Sequence, residues 1–107
     1  MATLSTHVLD TSRGRPAAGV PVVLSTAAGA VVGTAVTDTD GRVTELGAGQ
    51  LPPGEYRLRF DTAAHFAATG SPGFYPEVVV AFAVAEERHY HVPLLLSPYG
   101  YTTYLGS

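Results

Sequence analysis

Residues 89–107 read HYHVPLLLSPYGYTTYLGS, and they are the most informative part of the sequence. The apolar run after the two histidines has the composition of a buried β-strand. Residues i and i+2 of a strand point to the same side, so His89 and His91 share one face. Val92 and Leu94 occupy the opposite face. A sheet that buries them would present two imidazoles on its outer surface.

The rest of the chain continues this pattern of short strands. Between 55 and 60, for example, apolar residues alternate cleanly with arginines. One short helix is predicted through Ala67, with Asp61 or Thr62 as its N-cap, and residues 70–73, GSPG, are predicted to end it. Residues 11–19 and 47–54 are predicted loops, because both are rich in Gly, Ala and Pro. The predicted strands are 3–10, 20–26, 30–37, 42–46, 55–60, 77–85, 89–96 and 99–104. This spacing predicts an all-β, two-sheet β-sandwich with one short helix.

Composition limits the possible functions. The 107 residues suffice for one domain, expected to span 1–107, and 46% of them are hydrophobic. The net charge of −3 leaves no basic surplus, which excludes nucleic acid as the expected partner. Cysteine is absent, which excludes disulfides, thiolate nucleophiles and cysteine metal sites. Without a signal-peptide pattern or an apolar run of about 20 residues, we expect a cytoplasmic protein that does not bind membranes.

The histidines are the first candidates for a functional site. His7 shares the polar face of the first predicted strand with Ser5, and it is either a surface residue or part of a site. His89 and His91 are open to three interpretations: a metal-binding pair, a general base with its orienting partner, or a solvated sheet face. No cluster supplies a third and fourth ligand, so we expect no metal. We expect His65, on the short helix, to lie at the surface.

Arg42 is the second candidate. It follows residues 38–41, DTDG, which have the composition of a tight turn with Gly41 at positive φ. An arginine at a strand start is either a surface charge or a bidentate ligand for a planar anionic substrate. The tyrosines of the tail, which combine an apolar ring with a polar tip, predict a subunit contact. These are Tyr99, Tyr101 and Tyr104.

Four segments together carry a resemblance that covers essentially the whole chain. They are STHVLD at 5–10 followed by GRPA at 14–17, TDTDGRV at 37–43, FYPE at 74–77, and HYHVPLLLSPYGY at 89–101. In these segments the chain resembles the transthyretin superfamily, and specifically its 5-hydroxyisourate hydrolase branch. The carrier branch lacks the His-x-His strand, so His89 and His91 favour the hydrolase.

The resemblance implies a fold, a reaction and a set of site residues. The fold is a transthyretin-like β-sandwich that forms a homotetramer, with active sites in a channel at the dimer–dimer interface. The reaction is hydrolysis of 5-hydroxyisourate to 2-oxo-4-hydroxy-4-carboxy-5-ureidoimidazoline in urate degradation, a cyclic amide hydrolysis without metal or cofactor. The implied catalytic residues are His7, Arg42 and His91. The implied substrate-binding residues are His7, Arg42, His89, Tyr104 and Ser107.

The tail departs from the family pattern at one position. The family tail reads Tyr-Arg-Gly-Ser, and here Leu105 replaces the arginine, which removes a cation and up to five hydrogen-bond donors. This difference supports a rival interpretation, a transthyretin-like carrier of a small ligand with weak or no hydrolase activity. We predict that Leu105→Arg, which restores the family tail, raises activity.

Overall fold

The computed structural model describes residues 2–47 and 50–107, so part of the predicted loop 47–54 lies outside the described residues. Its elements form two sheets and one helix. In chain order they are β1 (Thr3–Asp10), β2 (Arg15–Pro16), β3 (Pro21–Thr26), β4 (Val31–Val36), β5 (Arg42–Val43), β6 (Gly54–Phe60), α1 (Thr62–Thr69), β7 (Val78–Val84), β8 (His89–Ser97) and β9 (Gly100–Thr103).

The strand order of the first sheet brings the two ends of the chain together. Its order is β2–β1–β8–β9, and β5 also pairs with β1. The second sheet has the order β4–β3–β6–β7. β1 and β8 are parallel over eight residue pairs, from Thr3 opposite His89 to Asp10 opposite Leu96. This register places Ser5 opposite His91, and the site depends on it.

The core lies between the two sheets, as the alternating patterns predict. Leu4 and Val8 of β1, Leu94 of β8, and Leu58 and Phe60 of β6 have no exposed surface. Their polar neighbours in sequence point outward, because successive strand residues alternate between faces. The predicted all-β, two-sheet sandwich with one short helix is confirmed.

The helix begins and ends where its capping residues predict. The Asp61 carboxylate accepts a hydrogen bond from the Ala64 backbone N–H at 3.0 Å. Gly70 ends the helix in the left-handed conformation, with φ of 68°. Among the described residues, no helix has the length and apolar character needed to cross a membrane.

The predicted surface position of His65 is wrong. Its side chain is only 6% exposed, and Nε2 lies 2.7 Å from Oδ2 of Asp10, which is 2% exposed. Burial alone would raise the pKa of Asp10, but hydrogen bonds from Ser12, His65 and the Arg13 N–H outweigh it and lower that pKa. A long-range partner therefore allows a polar residue to face the core, which helix position alone does not reveal.

Most predicted strand boundaries lie within one residue of the observed ones, but two strand assignments differ more. β5 ends at Val43 instead of continuing to residue 46. The predicted loop 11–19 contains the short strand β2, which pairs with Leu9 and Asp10 of β1. The sequence around Arg15 and Pro16 has no strand pattern, so this pairing is imposed by the neighbouring strand.

Candidate active site

A cavity of about 350 Å³ opens on the sheet that contains β1, β5 and β8. It brings together residues from four separate segments of the chain. The lining residues are Ser5, Thr6, Arg42, Val43, Thr44, His89, His91 and Ser107. Four of the six residues implied by the resemblance are among them.

The two histidines of β8 are held by hydroxyl groups of β1. Ser5 Oγ lies 2.7 Å from Nε2 of His89 and 2.8 Å from Nδ1 of His91. Thr3 Oγ1 lies 2.6 Å from Nδ1 of His89. The parallel register causes these contacts, because it places Thr3 opposite His89 and Ser5 opposite His91. Within the described residues, Nε2 of His91 has no hydrogen-bond partner and is the ring nitrogen available for chemistry.

The turn at residues 38–41 delivers Arg42 to the site, and the predicted turn is confirmed. Oδ1 of Asp38 accepts hydrogen bonds from the backbone N–H groups of Asp40 and Arg42, both at 2.9 Å. Gly41 has φ of 74°, and a Cβ there would lie 2.4 Å from the carbonyl oxygen of Val8. Only glycine fits at this point, and β5 can therefore begin directly beside β1.

His7 lies opposite Arg42 in the pairing of β1 with β5. Its Nε2 donates a hydrogen bond to the carbonyl oxygen of Asp40 at 2.8 Å. A carbonyl oxygen only accepts, so Nε2 carries the proton and Nδ1 is the acceptor nitrogen of neutral His7. His7 shares a strand face with Ser5 but does not line the cavity itself.

Burial and nearby groups favour the neutral form of His91. Burial lowers its pKa below the usual 6.5, and electrostatic repulsion of the imidazolium form by Arg42, His7 and His89 lowers it further. A neutral imidazole with a free Nε2 can accept a proton near pH 7. The arrangement therefore provides a general base beside a guanidinium group.

The C-terminal tail packs against His91. The backbone N–H of Gly106 donates to the carbonyl oxygen of His91 at 2.8 Å. A Cβ at Gly106 would lie 2.7 Å from Cδ2 of the His91 ring. The absence of a side chain at this position lets the tail pass directly over His91, and Ser107 then reaches the cavity wall.

Tyr104 and Leu105 lie elsewhere. Both line a separate, mainly apolar cleft of about 270 Å³, whose walls come from β7, β8 and the tail. Leu105 is 58% exposed there. Of the six implied residues, Arg42, His89, His91 and Ser107 therefore share one cavity, His7 lies next to Arg42, and Tyr104 is outside it.

Sequence reasoning did not assign a role to Ser5, Thr6, Val43 or Thr44. A signal for Ser5 was present, because it is two residues from His7 on the same strand face. Its position between two histidines, however, depends on the β1–β8 register. Within residues 2–47 and 50–107, no group of three or more His, Cys, Asp or Glu side chains is arranged to hold a metal ion.

Comparison with known proteins gives relatives across nearly the whole chain. A model of the HIUase/Transthyretin family matches residues 4–106. The 5-hydroxyisourate hydrolase of Caulobacter vibrioides is 45% identical over 115 residues, covering 100% of both chains. The probable 5-hydroxyisourate hydrolase of Schizosaccharomyces pombe is 43% identical over 112 residues, covering 97% of this chain and 90% of the relative.

Solved structures agree with these relatives. The 5-hydroxyisourate hydrolase of Klebsiella pneumoniae superposes with a TM-score of 0.91 at 41% identity, covering 98% of this chain and 99% of that one. Sea bream transthyretin, in a complex with thyroxine, superposes with a TM-score of 0.88 at 38% identity, covering 96% and 93%. The resemblance inferred from the four segments is confirmed, and the chain belongs to the HIUase/Transthyretin family.

Proposed function

We propose that this protein hydrolyses 5-hydroxyisourate to 2-oxo-4-hydroxy-4-carboxy-5-ureidoimidazoline, a step of urate degradation. The observation that carries the proposal is His91, which lines a cavity together with Arg42 and whose Nδ1, not Nε2, is engaged by Ser5. Relatives that share 43–45% of their residues over nearly the full chain are named as hydrolases of this compound.

The proposed reaction begins with general-base catalysis. The neutral His91 takes a proton from a water molecule at Nε2 as the water oxygen attacks a carbonyl carbon of the substrate. The Arg42 guanidinium binds the substrate oxygen atoms and stabilises the oxyanion as that carbon becomes tetrahedral. The carbon–nitrogen bond of the cyclic amide then breaks, the nitrogen takes up the proton held by His91, and a carboxylic acid remains, which gives its proton to solvent and becomes a carboxylate.

The other implied residues have supporting roles in this proposal. His7, through its acceptor Nδ1, orients the water or assists proton transfer beside Arg42. Ser107 contacts the substrate from the cavity wall. Tyr104 supports substrate binding indirectly, because it helps to position the tail that carries Ser107. The reaction as proposed needs no metal or cofactor, because an imidazole and a guanidinium supply the base and the oxyanion site.

We also propose a homotetramer of one-domain subunits in the cytoplasm. The edge strands β7 and β9 present unpaired backbone groups, which folded proteins usually cover. Several large apolar side chains are exposed near these edges, as expected of a subunit contact: Phe74, Val79, Tyr99, Tyr101 and Leu105. Light scattering at micromolar concentration should give four times the subunit mass, and cell fractionation tests the location.

A carrier function is the second candidate. The observation that favours it is the superposition on sea bream transthyretin, solved in a complex with thyroxine, together with Leu105 in the tail. A carrier would bind a small aromatic ligand without converting it. One assay distinguishes the carrier from the hydrolase.

That assay follows the absorbance of freshly generated 5-hydroxyisourate, compared with its spontaneous decay. We expect the protein to accelerate the decay. Arg42→Gln should lower kcat/KM about 10²–10³-fold, the range for loss of an oxyanion donor. Arg59→Gln is the matched control, because Arg59 is exposed on β6 of the other sheet. No acceleration by the wild type, or equal rates for the two variants, would overturn the hydrolase proposal.

A further inference from the structure

We propose that Ser5 and His89 are positioning residues that set the protonation of His91 through a hydrogen-bonded chain, Thr3–His89–Ser5–His91. This inference rests on the proposed hydrolase function. It assigns His89 a role through another residue, in place of direct contact with the substrate.

The geometry of the hydrogen-bonded chain supports a positioning role for Ser5 and His89. Hydroxyl groups and imidazoles alternate, with successive separations of 2.6, 2.7 and 2.8 Å. Both ring nitrogens of His89 are engaged by protein hydroxyls, so neither remains for a substrate. Ser5 is 9% exposed, which shields its bridge to the two rings from water.

The hydrogen-bonded chain has only two arrangements of its protons when both histidines are neutral. A hydroxyl has one proton to donate, so Ser5 must donate to one ring and accept from the other. If Ser5 donates to His89, then His91 carries its proton on Nδ1 and Nε2 is a base. If Ser5 donates to His91, then Nε2 of His91 carries the proton and is an acid.

Hydrolysis needs a base and then an acid at the same nitrogen. In the attack, an O–H bond of water breaks and its proton bonds to Nε2 of His91. The water oxygen bonds to the carbonyl carbon, and the π pair moves onto the oxygen beside Arg42. The Nδ1 proton of His91 passes to Ser5 Oγ while the Ser5 proton passes to Nε2 of His89. The positive charge is then on His89.

The second half of the reaction reverses these transfers. Nε2 of His91 gives its proton to the departing ring nitrogen as the carbon–nitrogen bond breaks. The proton on Nε2 of His89 returns to Ser5, and the Ser5 proton returns to Nδ1 of His91. All four groups recover their starting state, so the chain neither gains nor loses a proton in a turnover.

The surroundings of the two histidines explain why the positive charge would move from His91 to His89. His91 is half-buried, and burial together with Arg42 and His7 lowers its pKa, so an imidazolium is costly there. His89 is exposed, and water can solvate a positive charge on its ring. Sharing the charge with His89 therefore lowers the cost of protonating His91 during the attack.

The first experiment combines kinetics with solvent isotope effects. Ser5→Ala should lower kcat about tenfold or more, below the full 10²–10⁴-fold of a general base, with little change in KM. Ser5→Thr, which keeps the hydroxyl, should restore most of the rate. Ser25→Ala, a strand serine of the other sheet, is the matched control. The dependence of kcat on the D₂O fraction should be curved for the wild type and linear for Ser5→Ala and His89→Gln.

The second experiment does not depend on activity. ¹⁵N NMR of the histidine rings above pH 7 should show the proton of His91 on Nδ1 in the wild type, and loss of this preference in Ser5→Ala. An unchanged His91 tautomer in Ser5→Ala, or a wild-type rate and isotope response in that variant, would overturn the inference. Failure of the hydrolase proposal would appear separately, as a wild-type protein that does not accelerate substrate decay.

Discussion

Gly106→Ala tests whether the tail holds the general base in place. A Cβ at residue 106 would lie 2.7 Å from Cδ2 of His91 and 3.2 Å from its carbonyl oxygen. Ordinary contacts of a Cβ begin at 3.4 Å, so the tail or the ring must shift by about 0.7 Å. A displacement of about 1 Å at a reacting group can cost 10²-fold in rate. We therefore expect kcat to fall about ten- to hundredfold.

The experiment compares kcat of Gly106→Ala with kcat of Gly100→Ala, a control variant in the same C-terminal segment. A Cβ at Gly100 would meet only Ser97 Oγ at 3.7 Å, an ordinary contact, so Gly100→Ala should keep the wild-type rate. Thermal unfolding of both variants should stay close to that of the wild type, because neither Gly100 nor Gly106 belongs to the buried core. If Gly106→Ala is as active as Gly100→Ala, contact between the tail and His91 does not position the base.

Four further results are expected. Activity should persist as the pH falls below 6.5 and decline only through the lowered pKa of His91; a decline centred above 6.5 would contradict the neutral base. His65→Leu should lower the free energy of unfolding, measured by urea titration, by about 3 kcal/mol, because it leaves the buried Asp10 carboxylate without the His65 imidazole. The kcat per folded molecule should stay constant. Leu105→Arg should raise kcat/KM at most about fivefold, the effect of an exposed charge worth 0.2–1 kcal/mol, since the residue lies outside the cavity; a larger gain would place it in the site. Dialysis against a strong chelator should leave the rate unchanged, and a loss that zinc restores would reveal a metal-dependent reaction.

Most local elements, and the face of its strand that each side chain occupies, could be predicted from the sequence. Alternation in β6 and β8 assigned Leu58, Phe60 and Leu94 to the core, and Asp61 and Gly70 marked the two ends of the helix. These features depend on neighbours within a few residues, where backbone geometry leaves few choices.

The contacts between residues distant in sequence could not be predicted, because they depend on how the strands pair in the folded protein. The parallel pairing of β1 with β8 joins residues 84–86 positions apart and places Ser5 between His89 and His91. The same kind of long-range contact buries His65 against Asp10 and separates Leu105 from the cavity. Periodicity assigns a side chain to a face of its strand, but it does not specify the neighbouring strand or its register. The histidines were therefore visible in the sequence, whereas the hydroxyl groups that orient them depended on how the sheet was assembled.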